Sequence, residues 1–201
     1  HNLYLNFNPH LESQIAAIAD DVAYNNHDVE DALRAGLINI DSLGELSYFN
    51  EIIKNIKFKF PSIEENILIH QVLRSSISKM IDDIILTSTN FVNKLNINSI
   101  EDIQKSKDFL IKMSDKMKKE CLEIRSYLHK NVYNHPKLLE KRSNAENIIF
   151  KIYNFYEKNF EKLPNDWLYK NKYEIKQRVI CDYISGMTDR YASKLYKSIY
   201  E

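Results

Sequence analysis

A chain of 201 residues can bury one sizeable core, and its 28 basic side chains are matched by 28 acidic ones, so no global field draws it to nucleic acid or to an anionic membrane. Three glycines, Gly36, Gly44 and Gly186, are too few and too scattered for a phosphate cradle or a dinucleotide fingerprint, which leaves side chains and metal to read any phosphate. No apolar run approaches the ~20 residues that span a bilayer.

The elements, taken in chain order, are helical throughout. A first helix or helix pair runs to Ala35, with Gly36 as its stop. A second covers about Glu45 to Ile56. Pro61 followed by Ser62 as N-cap, with Glu65 closing a capping box, announces the next helix. In it Ile69, Leu73, Ile77, Met80, Ile81, Ile84 and Ile85 recur at helical spacing, and the helix continues toward Leu95. His70 lies inside this apolar run and reads as a satisfied core or boundary side chain. Polar clusters around Ile97, Ile100 and Ile103 leave residues 96 to 108 without a clear assignment.

Ser114 is placed to cap a helix carrying Met117, Cys121, Ile124 and Leu128, with Met113 and Met117 as core residues. Lys112, Lys116, Lys118 and Lys119 form a short basic face, read as solvated. Pro136 opens a helix on which Ala145, Ile149, Ile152 and Tyr156 share a stripe. Residues 163 to 166 read as a loop before Trp167. In the last stretch Ile175, Val179, Tyr183, Met187, Tyr191 and Leu195 line one face, with Gly186 as a possible break and Asp189 beside Arg190 as a possible pair. Cys121 and Cys181, with no C-x-x-C spacing, read as free thiols of a reducing compartment, the cytoplasm, both serving as small buried hydrophobes. The chain opens on His1-Asn-Leu-Tyr rather than Met and reads as the interior of a longer protein.

The chemistry is concentrated in Ile18-Ala-Asp-Asp-Val-Ala-Tyr-Asn-Asn-His-Asp28. Asp20, Tyr24 and Asp28 recur every fourth residue. Each step of four drifts about 40° on a helix, so the three share one stripe spanning roughly 12 Å along the axis. A carboxylate, a phenol and a second carboxylate in that order can touch a long polar ligand at successive points. Asp21 and His27 lie off the stripe. Adjacent aspartates on a helix are more often a solvated face than a site, and only the context of Tyr24 and Asp28 reverses that weighting for Asp20.

This segment resembles the last metal-binding helix of the HD-superfamily deoxynucleoside triphosphate triphosphohydrolases, the dGTPase-like enzymes. Val132-Tyr-Asn-His-Pro136 and the stretch from Arg178 through Gly186-Met-Thr-Asp189 to Ala192 are similar to later parts of that family, in its order. The resemblance implies an all-α multi-helix bundle like the C-terminal half of an HD-domain dNTPase, without the N-terminal half of the HD core. Residues 1–40 would hold the last metal-site helix, and residues 41–201 would pack with it as one domain. The implied reaction is hydrolysis of a dNTP to deoxynucleoside and triphosphate, with a water bound to Mn or Mg attacking the α-phosphorus.

In that likeness Asp20 is a metal ligand, Tyr24 contacts the triphosphate and Asp28 accepts from the sugar 3′-hydroxyl. The family's T-x-H-x-L-E and A-H-D-x-G-H-P-x-F-G-H motifs, which carry its histidine and His-Asp ligands, are absent from this sequence. His1, His10, His70, His129 and His135 are not spaced to replace them. One carboxylate holds a divalent ion poorly, so the chain alone is expected to be inactive and to bind metal weakly.

Its implied partners are the dNTP, a missing N-terminal portion or partner chain, and further copies in a homo-oligomer. The other outcome is a helical scaffold of the same descent that has lost catalysis. Without the first half, the face of the first helix around Ile15, Ile18 and Val22 is expected to be left uncovered.

Overall fold

The computed structural model describes residues 6–169 and 174–200. These form an all-α structure, with no strand among the described residues, as the sequence pattern predicts. By compactness the chain divides into two units, His1–His135 and Pro136–Glu201. The boundary read after residue 40 falls inside the first unit, where Ile40 is itself buried.

The first unit is built on α1 (Leu11–Arg34), α3 (Ser47–Lys59), α4 (Glu65–Lys94) and α6 (Asp115–Leu128), with α2 (Ile40–Leu43) and α5 (Ile100–Lys105) as short connectors. Helix α4 packs against both α1 and α3, and α6 packs against α1. At 30 residues, α4 is about 45 Å long and serves as the spine. On α3, Tyr48, Phe49, Ile52, Ile53 and Ile56 are buried at helical spacing.

The buried stripe of α4 shares Leu73 and Met80 with the one read from the sequence, but not its isoleucines. It runs through Leu68, Val72, Leu73, Ser76, Met80 and Ser88, and Ile81 and Ile85 face outward. The two serines are inside because each has partners. Ser76 Oγ donates to Asn26 Oδ1 at 2.6 Å, while the Tyr48 hydroxyl donates to the Ser76 carbonyl at 2.8 Å. Ser88 Oγ accepts from the Lys112 amide at 3.0 Å. A hydrogen-bonded hydroxyl is cheap to bury, so a polar residue holds a core position where the sequence pattern predicts an apolar one.

Helix ends follow local chemistry. At the end of α1, Leu37 donates to the Ala32 carbonyl and Gly36 to that of Leu33, at 3.0 and 3.1 Å, which is the Schellman arrangement. It requires Gly36 at φ +63°, and a Cβ added there would meet nothing within 4 Å. Gly36→Ala is therefore expected to cost about 1 kcal/mol through backbone strain alone, read as a lower urea midpoint with an unchanged slope. Asn96, at φ 51°, closes α4 in the same way.

Ser114 caps α6 by accepting from the Met117 amide. It is itself held by Asp83, which accepts from the Ser114 amide and hydroxyl at 2.8 and 2.6 Å. Ser99 and Asp102 form a reciprocal capping box that starts α5 in the stretch left unassigned. The box expected at Ser62 and Glu65 does not form. Pro61 and Ser62 are taken up in a turn closed by the Ile63 amide on the Phe60 carbonyl, and α4 begins only at Glu65 with no side-chain cap.

The second unit packs α7 (Pro136–Lys158) against α9 (Lys176–Ser185) and α10 (Asp189–Tyr200). Its core is Ile152, Tyr156, Leu163, Val179, Ile180 and Tyr183. The expected stripes are right at Ile152, Tyr156, Val179 and Tyr183, but Ala145, Ile149 and Ile175 are exposed. Residues 160 to 162 form a 3-10 turn, and the short α8 (Asn165–Leu168) takes in the second half of the loop expected at residues 163 to 166. Gly186 is the C-cap of α9.

Cys121 is buried and Cys181 is exposed, so only the first behaves as a core residue. His70, one position past Ile69 on α4, points outward rather than into the core. Among the described residues Asp189 and Arg190 make no ion pair, whereas Arg178 and Asp182 do, at 3.0 Å.

Candidate functional site

Helix α1 sorts its residues by angle. Val22, Asn25, Asn26, Val29 and Ala32 are buried against the rest of the first unit. Asp20 lies opposite that face and is exposed. Each further step of four turns the row back about 40° toward the core, so Tyr24 is 56% exposed and Asp28 is half-buried. The expected row is thus present on one surface, running from open solvent to the edge of the packed interior. The Asp20 side chain makes no hydrogen bond or ion pair among the described residues.

Helix α6 lies along the same edge and runs in the same direction as α1. Arg125 bridges to Asp21 at 2.8 Å and donates to Asn25 Oδ1 at 3.1 Å. Eight residues further on, the Tyr133 hydroxyl donates to the Asp28 carboxylate and lies 3.4 Å from the Tyr24 hydroxyl. Tyr133 ends a π-helical turn, His129–Tyr133, that continues α6. In regular α-geometry eight residues drift about 80°, and the wider turn takes up part of that drift. Burial, and then the hydrogen bonds to Asp28 and Tyr24, push the Tyr133 phenol well above its ordinary pKa. It therefore stays protonated and keeps donating to Asp28.

Tyr24 and Asp28 are brought together with Tyr133, whereas Asp20 stands one turn before Tyr24 with no side-chain partner among the described residues. Arg125 escapes the sequence reading, and Tyr133 enters it only within the family-like stretch 132–136, with no role given to it. The signal available was their own spacing, since Arg125, His129 and Tyr133 also recur every fourth residue. His129 sets its ring edge-on to Tyr133 at 6.3 Å, and its backbone carbonyl accepts from Asn134 at 2.8 Å. His27 is exposed beside Glu30 at 3.7 Å, off the row as expected.

Among the described residues no three His, Cys, Asp or Glu side chains converge so as to hold a metal ion. The described residues do not make up a complete metal site. No helix of the described residues is long and apolar enough to cross a membrane.

Comparison with known proteins identifies the chain. The family described as "Phosphohydrolase-associated domain" matches residues 111–198. The deoxyguanosinetriphosphate triphosphohydrolase-like protein of Pelagibacter ubique is 38% identical over 197 residues, covering 97% of this chain and 52% of the relative. The proteins of that name from Nitrosomonas europaea and Rickettsia prowazekii are 35% and 34% identical, each over 94% of this chain and 50% of their own length. The chain belongs to this dGTPase-like family. It spans about half the length of the relatives it matches and corresponds to their C-terminal portion. Family membership agrees with the likeness read from the Asp20 row, from residues 132–136 and from residues 178–192.

Proposed function

We propose that α1 presents one half of a dNTP triphosphohydrolase site, with Asp20 as a metal ligand, Tyr24 against the triphosphate and Asp28 at the sugar 3′-hydroxyl. The observation that carries this reading is the exposed row itself, with Asp28 oriented by Tyr133 and Asp20, at the open end, without a side-chain partner among the described residues. A row of about 12 Å matches the extent of a ligand from metal to sugar. The order also suits the chemistry, with the bare carboxylate at the phosphate end and the hydrogen-bond acceptor at the sugar end. The relatives' printed name supplies the substrate class, a deoxynucleoside triphosphate. The remaining ligands, and with them a usable divalent-metal site for Mn or Mg, come from the portion of the family's polypeptide that this chain does not cover. Assembly into a homo-oligomer in the cytoplasm belongs to the same reading.

The first test incubates the 201-residue chain with dGTP and Mn²⁺ and measures released triphosphate. No release is expected. The same chain preceded by the unmatched N-terminal portion of the Pelagibacter relative is expected to release it. Release by the chain alone, abolished in Asp20→Ala, would show that the site is already complete and overturn the reading of a half-site. Failure of both proteins to release triphosphate would favour the helical scaffold.

A further inference from the structure

Within the first unit, on the side of α1 that carries Ile18 and Asp21, lies an open cleft of about 600 Å³ between α1, α6 and residues 108–113. Ile18, Ile111, Met113 and Leu122 line its apolar part. Phe109 at its lip is 58% exposed and Leu122 is 61% exposed, with Ile15 at 51% one turn before Ile18. Val22, expected to be bare, is 4% exposed, so the uncovered face ends at Ile18. Contiguous apolar surface of this kind on a folded unit marks a contact face.

The cations lining the cleft are already engaged, which argues against a small anionic ligand. Arg125 is on Asp21 at 2.8 Å, Lys118 is beside Asp115 at 3.5 Å, and the Lys112 amine sits over the Phe91 ring at 3.0 Å. Apart from the Asp108 side chain, what remains on offer is hydrocarbon. The relatives carry about as much chain again outside the region they share with this one, on its N-terminal side, and α1 supplies both the Asp20 row and one wall of the cleft.

We propose that this cleft seats an apolar helical face from the portion of the family's polypeptide that precedes the matched region. The inference rests on the half-site reading and adds its docking surface. A segment held there packs on α1, the helix that carries the Asp20 row, against Ile18 and Asp21.

The test is cysteine labelling. Leu122→Cys is introduced with Cys181→Ser. Cys121 stays, since burial pushes its thiol up to about 11 and slows its reaction. Phe60→Cys, on the exposed turn between α3 and α4, serves as the control. Maleimide labelling is compared between the 201-residue chain and the same chain preceded by the unmatched portion of the Pelagibacter relative. In the longer protein labelling at position 122 is expected to slow by about tenfold or more, with position 60 unchanged.

Equal labelling at position 122 in both proteins overturns the docking surface. If that protein releases triphosphate, the half-site reading survives while the docking surface falls. Protection without triphosphate release leaves the docking surface standing and the half-site reading in failure. Protection in the short chain alone that grows with its concentration assigns the cleft to a second copy, which also overturns the proposal.

Discussion

Phe49→Ala is expected to lower the stability of the first unit by about 3–5 kcal/mol, a large share of the roughly 5–15 kcal/mol that holds a domain folded. Phe49 is completely buried, and it is among the largest side chains with no exposure at all. Its ring meets the Tyr48 ring edge-on, with centroids 5.2 Å apart at 83°. Tyr48 in turn holds the Ser76 carbonyl, so the cavity opens beside the buried polar network as well as beside hydrocarbon. Relaxation into the void would stretch hydrogen bonds that have no water to replace them, which places the cost at the upper end of that range. The measurement is urea unfolding followed by helical circular dichroism. Phe58→Ala is the control, since Phe58 lies on the same helix and is 88% exposed. That variant is expected to stay within about 0.5 kcal/mol of the parent. A midpoint for Phe49→Ala close to that of Phe58→Ala would mean that α3 does not pack on α4 as described.

What the sequence reveals and what it hides divide along physical lines. Helix ends are legible where one residue decides them. Gly36 is needed for its positive φ, Ser114 for its hydroxyl and Pro136 for its fixed φ, and all three end or begin helices as expected. Core stripes are legible where burial needs only hydrocarbon, as at Ile152 and Tyr156. The stripe on α4 is misread because Ser76 and Ser88 are inside, and a serine's burial depends on partners that lie 50 and 24 residues away along the chain. Hydrophobic periodicity carries no information about such partners. Gln14 is a parallel case. It is 4% exposed on the polar-looking start of α1, with its Oε1 accepting from the Leu110 and Ile111 amides at 2.8 and 3.1 Å.

The candidate site shows the same division. Asp20, Tyr24 and Asp28 are legible because they lie on one helix, where spacing fixes phase. Tyr133 reaches them from another helix through a π turn; its spacing from Arg125 and His129 marks a shared stripe, but not the change of pitch or the helix that stripe meets. Its neighbour in sequence, Val132, is buried. The chain therefore switches between packing and presenting within two residues, and that choice is made by the packing around it.

Asp20→Ala is expected to cut triphosphate release by about a thousandfold or more in the protein that carries the preceding portion, with no loss of stability. The two halves of that expectation come from the same observation. Asp20 is exposed and has no partner among the described residues, so its removal leaves no buried group unsatisfied and should move the urea midpoint by less than about 0.5 kcal/mol. An exposed carboxylate without a partner has no work to do in the fold, so a large effect on activity would mark contact with metal or phosphate.

Asp28→Asn makes the comparison sharper. Asp28 accepts from Tyr133, so that variant is expected to weaken both the folded edge of α1 and substrate binding, with a smaller loss of rate than at position 20. His27→Ala, exposed on the same helix but off the row, should change neither. A stable Asp20→Ala protein that still releases triphosphate at the parent rate would remove Asp20 from the metal. The row would then be a solvated helix face, with Tyr133 and Asp28 joined only to hold α6 against α1.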